Sequence, residues 1–372
     1  MIYLDNSATT RPCEAAVRAM TEALTETWEN PSSLYEGGIA AAHKLEDARK
    51  QTAAALGAEA ERVFFTSGGT EADNWAILGT AKKLGKRGKH IITTAIEHPA
   101  VLRPMQALEA AGYDVTYLAP EADGFVPASA LEAALRKDTI LVSCMMVNNE
   151  VGAVQPIAEM IRAVRRKSPI ALFHTDAVQG FGKIAFRAKT LGADLISVSS
   201  HKIHGPKGAG ALYIKAGLQL PALLLGGGQE KGFRSGTEGT PALRGFGAAC
   251  AELGGAEEIA KITELRDFCR QELSRVEGLQ MLGRGDAPHI ICVSLPGLRS
   301  QGILNCLQDR GIAVSAGSAC SRGHRSHVLT AMGVAPEVID SAVRISLSRD
   351  NTKEELAQVA EAFEYAKRTL KG

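Results

Sequence analysis

From about residue 60 the chain alternates short apolar runs with amphipathic stretches, and this alternation restricts the fold more than any other feature. The runs Val63–Thr66, His90–Ile96, Asp114–Ala119, Thr139–Val147, Ile170–Ala177, Asp194–Ser200 and Ala209–Ile214 read as strands. Patterns such as Glu71–Leu84 and Pro156–Lys167 read as the helices between them. Strands joined in this way imply an α/β domain around a mostly parallel seven-stranded sheet. Its site is expected at the carboxyl ends of the strands.

On either side of this block the signals change. Thr10 is expected to cap an N-terminal helix with Pro12 in its first turn and Val17, Met20, Leu24 and Trp28 at helical spacing. A glycine-rich stretch, 226–239, precedes long helices over 241–276. Strands are then expected at His289–Leu295 and Ala342–Ser348, followed by a helix opening on the capping box Thr352–Glu355, with Leu356, Val359 and Phe363 on one face. The reading divides the chain into a large domain, 13–255, and a smaller α+β domain, 256–372, which residues 1–12 join.

Composition removes several classes of function. Lysine and arginine number 42 against 41 aspartate and glutamate, so there is no global field for nucleic acid or an acidic membrane. The longest apolar run, Ile140–Val147, is far short of the roughly 20 residues of a membrane span. Asp5 interrupts any secretory pattern, which makes cytoplasmic the expected location. The seven cysteines are scattered, without a C-x-x-C pair, and suggest neither a disulfide framework nor a metal site.

Three stretches carry chemistry. In Ser199-Ser200-His201-Lys202-Ile203-His204-Gly205 a strand ends in a turn bearing Lys202, and a lysine near a buried cleft can lose its proton and become an imine-forming nucleophile. In Thr66-Ser67-Gly68-Gly69-Thr70-Glu71 a strand passes into a helix, and its glycines and hydroxyls form either a phosphate site or merely a good cap. In His174-Thr175-Asp176-Ala177-Val178-Gln179 a carboxylate ends an apolar strand, a costly place without a cationic partner. The protonated ring nitrogen of pyridoxal phosphate (PLP) is such a partner; a helix-capping Asp176 is the alternative.

A phosphate turn, a strand-end aspartate and a strand-end lysine in this order resemble the fold-type I PLP-dependent transferases. The stretches YLDNSATT (3–10), NPSS (30–33), FTSGGTEADNWAI (65–77), EHPAV (97–101), VNNEVGAVQP (147–156), RSGTE (234–238), SAGSAC (315–320) and VRISLSR (343–349) narrow the resemblance. They are similar to the class V aminotransferase branch and, within it, to the cysteine desulfurases of the NifS/IscS kind.

The resemblance implies that Lys202 holds PLP as a Schiff base and shuttles the substrate Cα proton. It also implies that Gly69, Thr70, Ser199 and His201 hold the phosphate, with Thr237 reaching the phosphate of a neighbouring subunit in a homodimer. His98 stacks on the ring and serves as acid or base, Asp176 meets the ring nitrogen, and Gln179 the ring hydroxyl. Asn149 contacts cofactor or substrate. Arg344, inside an apolar strand, either grips the α-carboxylate of L-cysteine or makes a structural ion pair. Cys320 takes the sulfur as a persulfide for a sulfur-acceptor protein of iron–sulfur cluster assembly or of tRNA or cofactor thiolation. Arg322, His324 and Arg325 add charge that favours its thiolate, and Arg322 with Arg325 could guide an anionic partner. Alternative readings are a selenocysteine lyase, another class V transaminase-like enzyme, and a non-catalytic thiol redox sensor on the same fold.

Overall fold

A computed structural model describes residues 1–316 and 325–371. Its main sheet has seven strands in the order Val63–Thr66, Gly210–Ile214, Leu195–Ser199, Leu172–Asp176, Thr139–Ser143, His90–Thr94 and Asp114–Leu118. Only Gly210–Ile214 runs antiparallel to its neighbours. The central strands are buried along their whole length, which is why they read as continuous apolar runs rather than alternating ones. Helices Gly69–Leu84, Pro99–Ala110 and Ile157–Lys167 supply the covering layers.

A second, antiparallel sheet has the order Ser315–Ala316, Ala342–Ser346, Ile290–Ser294 and Gln280–Leu282. It packs on helices Gly255–Leu273, Ser300–Asp309 and Lys353–Lys371 around a separate apolar core that includes Leu273, Val293, Ile345 and Phe363. Thr352 and Glu355 form the expected reciprocal cap, with Thr352 N donating to Glu355 Oε2 at 3.2 Å and Glu355 N donating to Thr352 Oγ1 at 3.3 Å.

Several expectations require correction. The first helix is Glu14–Thr25, capped at Cys13 without a side-chain bond. Thr10 instead donates to His201 O at 3.0 Å and accepts from His204 N at 2.7 Å. Val17, Leu24 and Trp28 point outward, while Ala16 and Ala23 face the core. The strand from Thr139 stops at Ser143, and Cys144–Val147 run on across the strand ends, bonding to His174 O and Asp176 O. As expected, the segment 241–276 holds long helices, Thr240–Ala251 and Gly255–Leu273, separated where Gly255 takes φ +59°. A 21-residue helix, Glu36–Leu56, carried no distinct signal in the sequence.

One ion pair locks the sheet edge beside the phosphate turn. Arg49 meets Glu230 through two 2.8 Å bonds, and Glu230 Oε2 also accepts Phe65 N at 2.9 Å. The side chains are only 9% and 3% exposed, and without Glu230 the buried guanidinium keeps only the Val63 carbonyl and the half-exposed Glu46 carboxylate. Glu230→Gln is therefore expected to lose roughly 3–5 kcal/mol in equilibrium denaturant unfolding. A loss well under 1 kcal/mol would show that water reaches the pair.

Candidate active site

A cavity of about 420 Å³ opens at the carboxyl ends of the parallel strands. It brings together Gly69, Thr70, His98, Asn149, Asp176, Gln179, Ser199, His201, Lys202 and Arg344. Lys207, the other lysine of that turn, is exposed and outside it. Thr237 lies in a different recess with Ser67 and Arg234. Cys320, with Arg322 and His324, lies outside the described residues, and Arg325 is engaged with Asp340 at 2.7 and 2.8 Å.

Lys202 ends a short 3-10 turn, Ser200–Lys202, directly after the strand Leu195–Ser199. Its Nζ donates to Ser7 O at 2.6 Å and Ala8 O at 2.7 Å. Burial, then the nearby Arg344 charge, lowers its pKa to about 8, against the pull of Asp5 and Asp176. The amine is thus half neutral near pH 8, where a free lysine is almost wholly protonated.

The phosphate turn follows the strand Val63–Thr66 and opens the 16-residue helix Gly69–Leu84. Gly68 takes φ +152°, and a Cβ on Gly69 would stand 2.7 Å from Val178 Cγ2. Glycine is needed at both positions to bring the helix start this close. The first-turn amides have no partners within the helix, so this end of the cavity suits an anion. Ser199 and His201 face the same cavity, and His201 Nδ1 lies 3.2 Å from Thr9 Oγ1.

Another part of the wall is acidic. Asp176 Oδ1 accepts Val178 N at 2.8 Å. Burial, then the neighbouring Asp73 carboxylate, pushes its pKa well above the usual range. Asp73 is also buried and raised by burial; one of its oxygens has no hydrogen-bond partner and lies 3.5 Å from His174 Nε2. His174 is held between Ser143 Oγ at 2.8 Å and Ser197 Oγ at 2.9 Å, and burial keeps it neutral. Among the described residues no lysine or arginine pairs with either carboxylate. Such a wall favours a cationic ring nitrogen.

Arg344 closes the cavity from the smaller sheet. Nη1 donates to Asn149 O and Nη2 to Asp5 Oδ1, each at 2.8 Å, while the buried Nε has no partner among the described residues. The guanidinium is therefore both an ion-pair member and a cavity wall. His98 caps the helix Pro99–Ala110, accepting Ala100 N on Nδ1 at 3.1 Å, which leaves Nε2 to carry the ring proton. Partial desolvation, then the Lys202 and His327 charges, depresses its pKa. Asp5, Ser7, Ala8 and Asp73 were missed as site residues from sequence. They stand within the motifs YLDNSATT and GGTEADN, which were the available signal.

A profile of the Aminotransferase class-V family matches residues 2–359. A relative from Methanosarcina thermophila named cysteine desulfurase IscS is 44% identical over 97% of this chain and 90% of that protein. The chain belongs to the class-V aminotransferase family. Among solved structures, a NifS-like protein superposes with a TM-score of 0.93 at 37% identity, covering 99% of this chain and 100% of the other. A structure titled SspA in complex with cysteine gives a TM-score of 0.84 at 31% identity, over 95% of this chain and all (100%) of that one.

Class-V aminotransferases are PLP enzymes, and the cavity fits that cofactor. The helix start, Ser199 and His201 offer donors for a phosphate, the buried and unpaired Asp176 offers an anion for a pyridinium, and Lys202 offers an amine of reduced basicity. PLP attachment to the cofactor-free chain is expected to accelerate with pH through a midpoint near 8, since only neutral Lys202 is nucleophilic. A rate still climbing in proportion to hydroxide toward the ordinary lysine pKa of about 10.4 would contradict the cavity's effect.

Proposed function

We propose that the chain is a cysteine desulfurase, taking sulfur from L-cysteine, releasing L-alanine and carrying the sulfur on Cys320. The observation that supports this most is the meeting of Lys202, Asp176 and Arg344 in one cavity with both flanks of the Cys320 segment fixed beside it. Ser315 lines the cavity and pairs with Arg344 in the smaller sheet. On the far side, Ser326 Oγ donates to Glu150 Oε2 and His327 Nε2 donates to Glu97 O at 2.9 Å. Cys320 follows Ala316 by four residues, a reach of at most about 14 Å.

PLP, when bound, supplies an electron sink that labilises bonds at the substrate Cα. The chain's own groups do the rest. Arg344 binds the α-carboxylate, with Asp5 and the Asn149 carbonyl holding its guanidinium in place. Lys202, neutral above about pH 8, accepts the Cα proton and later returns it. Asp176 would meet the ring nitrogen, Gln179 the ring oxygen, and His98, with Nε2 carrying its proton, would lie against the ring. The Cys320 thiolate attacks the substrate sulfur: an S–S bond forms as the Cβ–S bond breaks. The electron pair of that bond stays on carbon, and a proton completes the methyl group of alanine.

The functional unit in this reading is a homodimer. Trp28 and Leu225 are large apolar side chains at 68% and 90% exposure, and Leu224 is bridged to Arg234 shortly before Thr237. A second copy covering the 224–237 segment would carry Thr237 to its neighbour's phosphate. Residues 13–255 and 256–372 act as the two domains, a division supported by the second apolar core beginning in the helix Gly255–Leu273. The cysteines among the described residues are all free, which suits a reducing cytoplasm. No helix among the described residues is long and apolar enough to cross a membrane. The sulfur acceptor is a protein of iron–sulfur assembly or of tRNA or cofactor thiolation. With Arg325 spent on Asp340, charge steering by the following basic segment rests on Arg322.

Cys320→Ala is expected to keep the PLP absorbance while sulfide release from L-cysteine with reductant falls by about 10³-fold or more, as when a covalent nucleophile is removed. Full turnover in this variant would refute the persulfide route. Lys202→Ala should retain no PLP on the chain after borohydride reduction; retention would move the attachment to another lysine.

A further inference from the structure

Behind the cavity wall, in line with Gln179, lie two buried side chains that the reaction above does not use, His289 and Lys183. Gln179 is buried and lines the cavity. Its Nε2 donates to Ser7 O at 3.0 Å, the same carbonyl that accepts Lys202 Nζ at 2.6 Å. Its Oε1 stands 3.2 Å from His289 Nε2. His289 is fully buried at the start of the smaller sheet's strand Ile290–Ser294, and its Nδ1 has no hydrogen-bond partner. Lys183, buried in the turn after Gln179, likewise has an unpartnered Nζ.

These contacts determine which way the Gln179 amide faces. An amide oxygen only accepts, so the 3.2 Å contact requires a proton on His289 Nε2. With the amide turned over, its oxygen would oppose the Ser7 carbonyl, a repulsive pair in a buried setting, and its NH2 could be accepted only by the other tautomer of His289. Burial, then the Lys183, Arg344 and Lys202 charges, holds His289 well below its ordinary pKa, so the ring stays neutral. In the favoured orientation one N–H of Gln179 goes to Ser7 O and the other remains unspent, on a side chain that lines the cavity.

We propose that His289 is a positioning residue that fixes the amide of Gln179 so that an N–H, not a carbonyl, meets the cofactor's ring oxygen. This rests on the reading that the cavity holds PLP with Gln179 beside that oxygen. Burial, more than any neighbouring charge, keeps a second proton off the imidazole. A donor at the ring oxygen favours its anionic form, which absorbs at longer wavelength than the protonated form. The shared Ser7 carbonyl couples the same amide to the anchoring of Lys202.

The test compares holoenzyme bearing His289→Leu with His289→Gln, whose amide nitrogen reaches the place of Nε2. The absorbance of bound PLP and the PLP dissociation constant are measured for each, and circular dichroism checks the fold. His289→Leu should shift the spectrum toward the short-wavelength form and weaken PLP binding by about tenfold, the scale of one buried hydrogen bond. His289→Gln should restore both. In a Gln179→Leu background the effect of His289→Leu should vanish. Should the leucine variant not fold, His289→Asn, polar but too short to reach Gln179, carries the same expectation. Equal behaviour of the long and short replacements, or an undiminished effect without Gln179, would overturn the proposal. Absence of any PLP band in the unaltered protein would instead refute the reading of the cavity, and this inference with it.

Discussion

The site depends on where the first ten residues run. Ile2–Tyr3 add to Ile312–Ala313 as a parallel pair, and Asn6 Nδ2 and Ser7 N bond to Ser346 of the smaller sheet at 2.9 Å. The next carbonyls, of Ser7 and Ala8, accept Lys202 Nζ from the large sheet. Thr10 then bonds to His201 O and His204 N on the lysine's own turn. One extended segment therefore joins the two sheets and holds the reactive lysine at their junction. It also brings Asp5 to Arg344, so the two cationic side chains of the cavity are both oriented by the same strap.

The cavity's charge is arranged by ends. Unpaired helix amides, Lys202 and Arg344 make part of it suited to anions, while Asp176 and the neighbouring Asp73 make another part acidic. Burial raises the carboxylates and lowers the lysine, so each group is pushed toward its neutral form and each gains by meeting an oppositely charged ligand. A molecule with a phosphate at one end and a basic ring nitrogen at the other satisfies both walls. In the proposed function, an amino-acid substrate then adds its carboxylate at Arg344. This complementarity explains why so many costly buried polar groups are tolerated in one place.

Much of this was legible in the sequence because the signals were local. The central strands of the main sheet announced themselves as apolar runs since they are covered on both faces, whereas the edge strand Asp114–Leu118 is only partly buried; the Thr352–Glu355 cap is a three-residue spacing. Lys202, Gly69 and Asp176 sit where strands end, which places them at the sheet's active edge in any fold of this class. What escaped were features decided by distant partners. The alanine-rich helix Glu36–Leu56 buries mostly small side chains and shows only a weak apolar stripe. Thr10 looked like a helix cap but is taken by contacts more than 190 positions away. Val17, Leu24 and Trp28 have helical spacing yet face outward, since periodicity identifies a stripe without saying what covers it. Asp5 and Asp73 acquire meaning only through Arg344 and Asp176.

The central claim is that sulfur passes from cysteine to Cys320 under the direction of a PLP site built on Lys202. The most direct measurement is mass spectrometry of the holoenzyme after brief incubation with L-cysteine and no reductant, with alanine quantified in parallel. The account predicts one added sulfur on the peptide containing Cys320 and one alanine for each sulfur. Alanine accumulating while that peptide stays unmodified, or sulfur found on another cysteine, would contradict it.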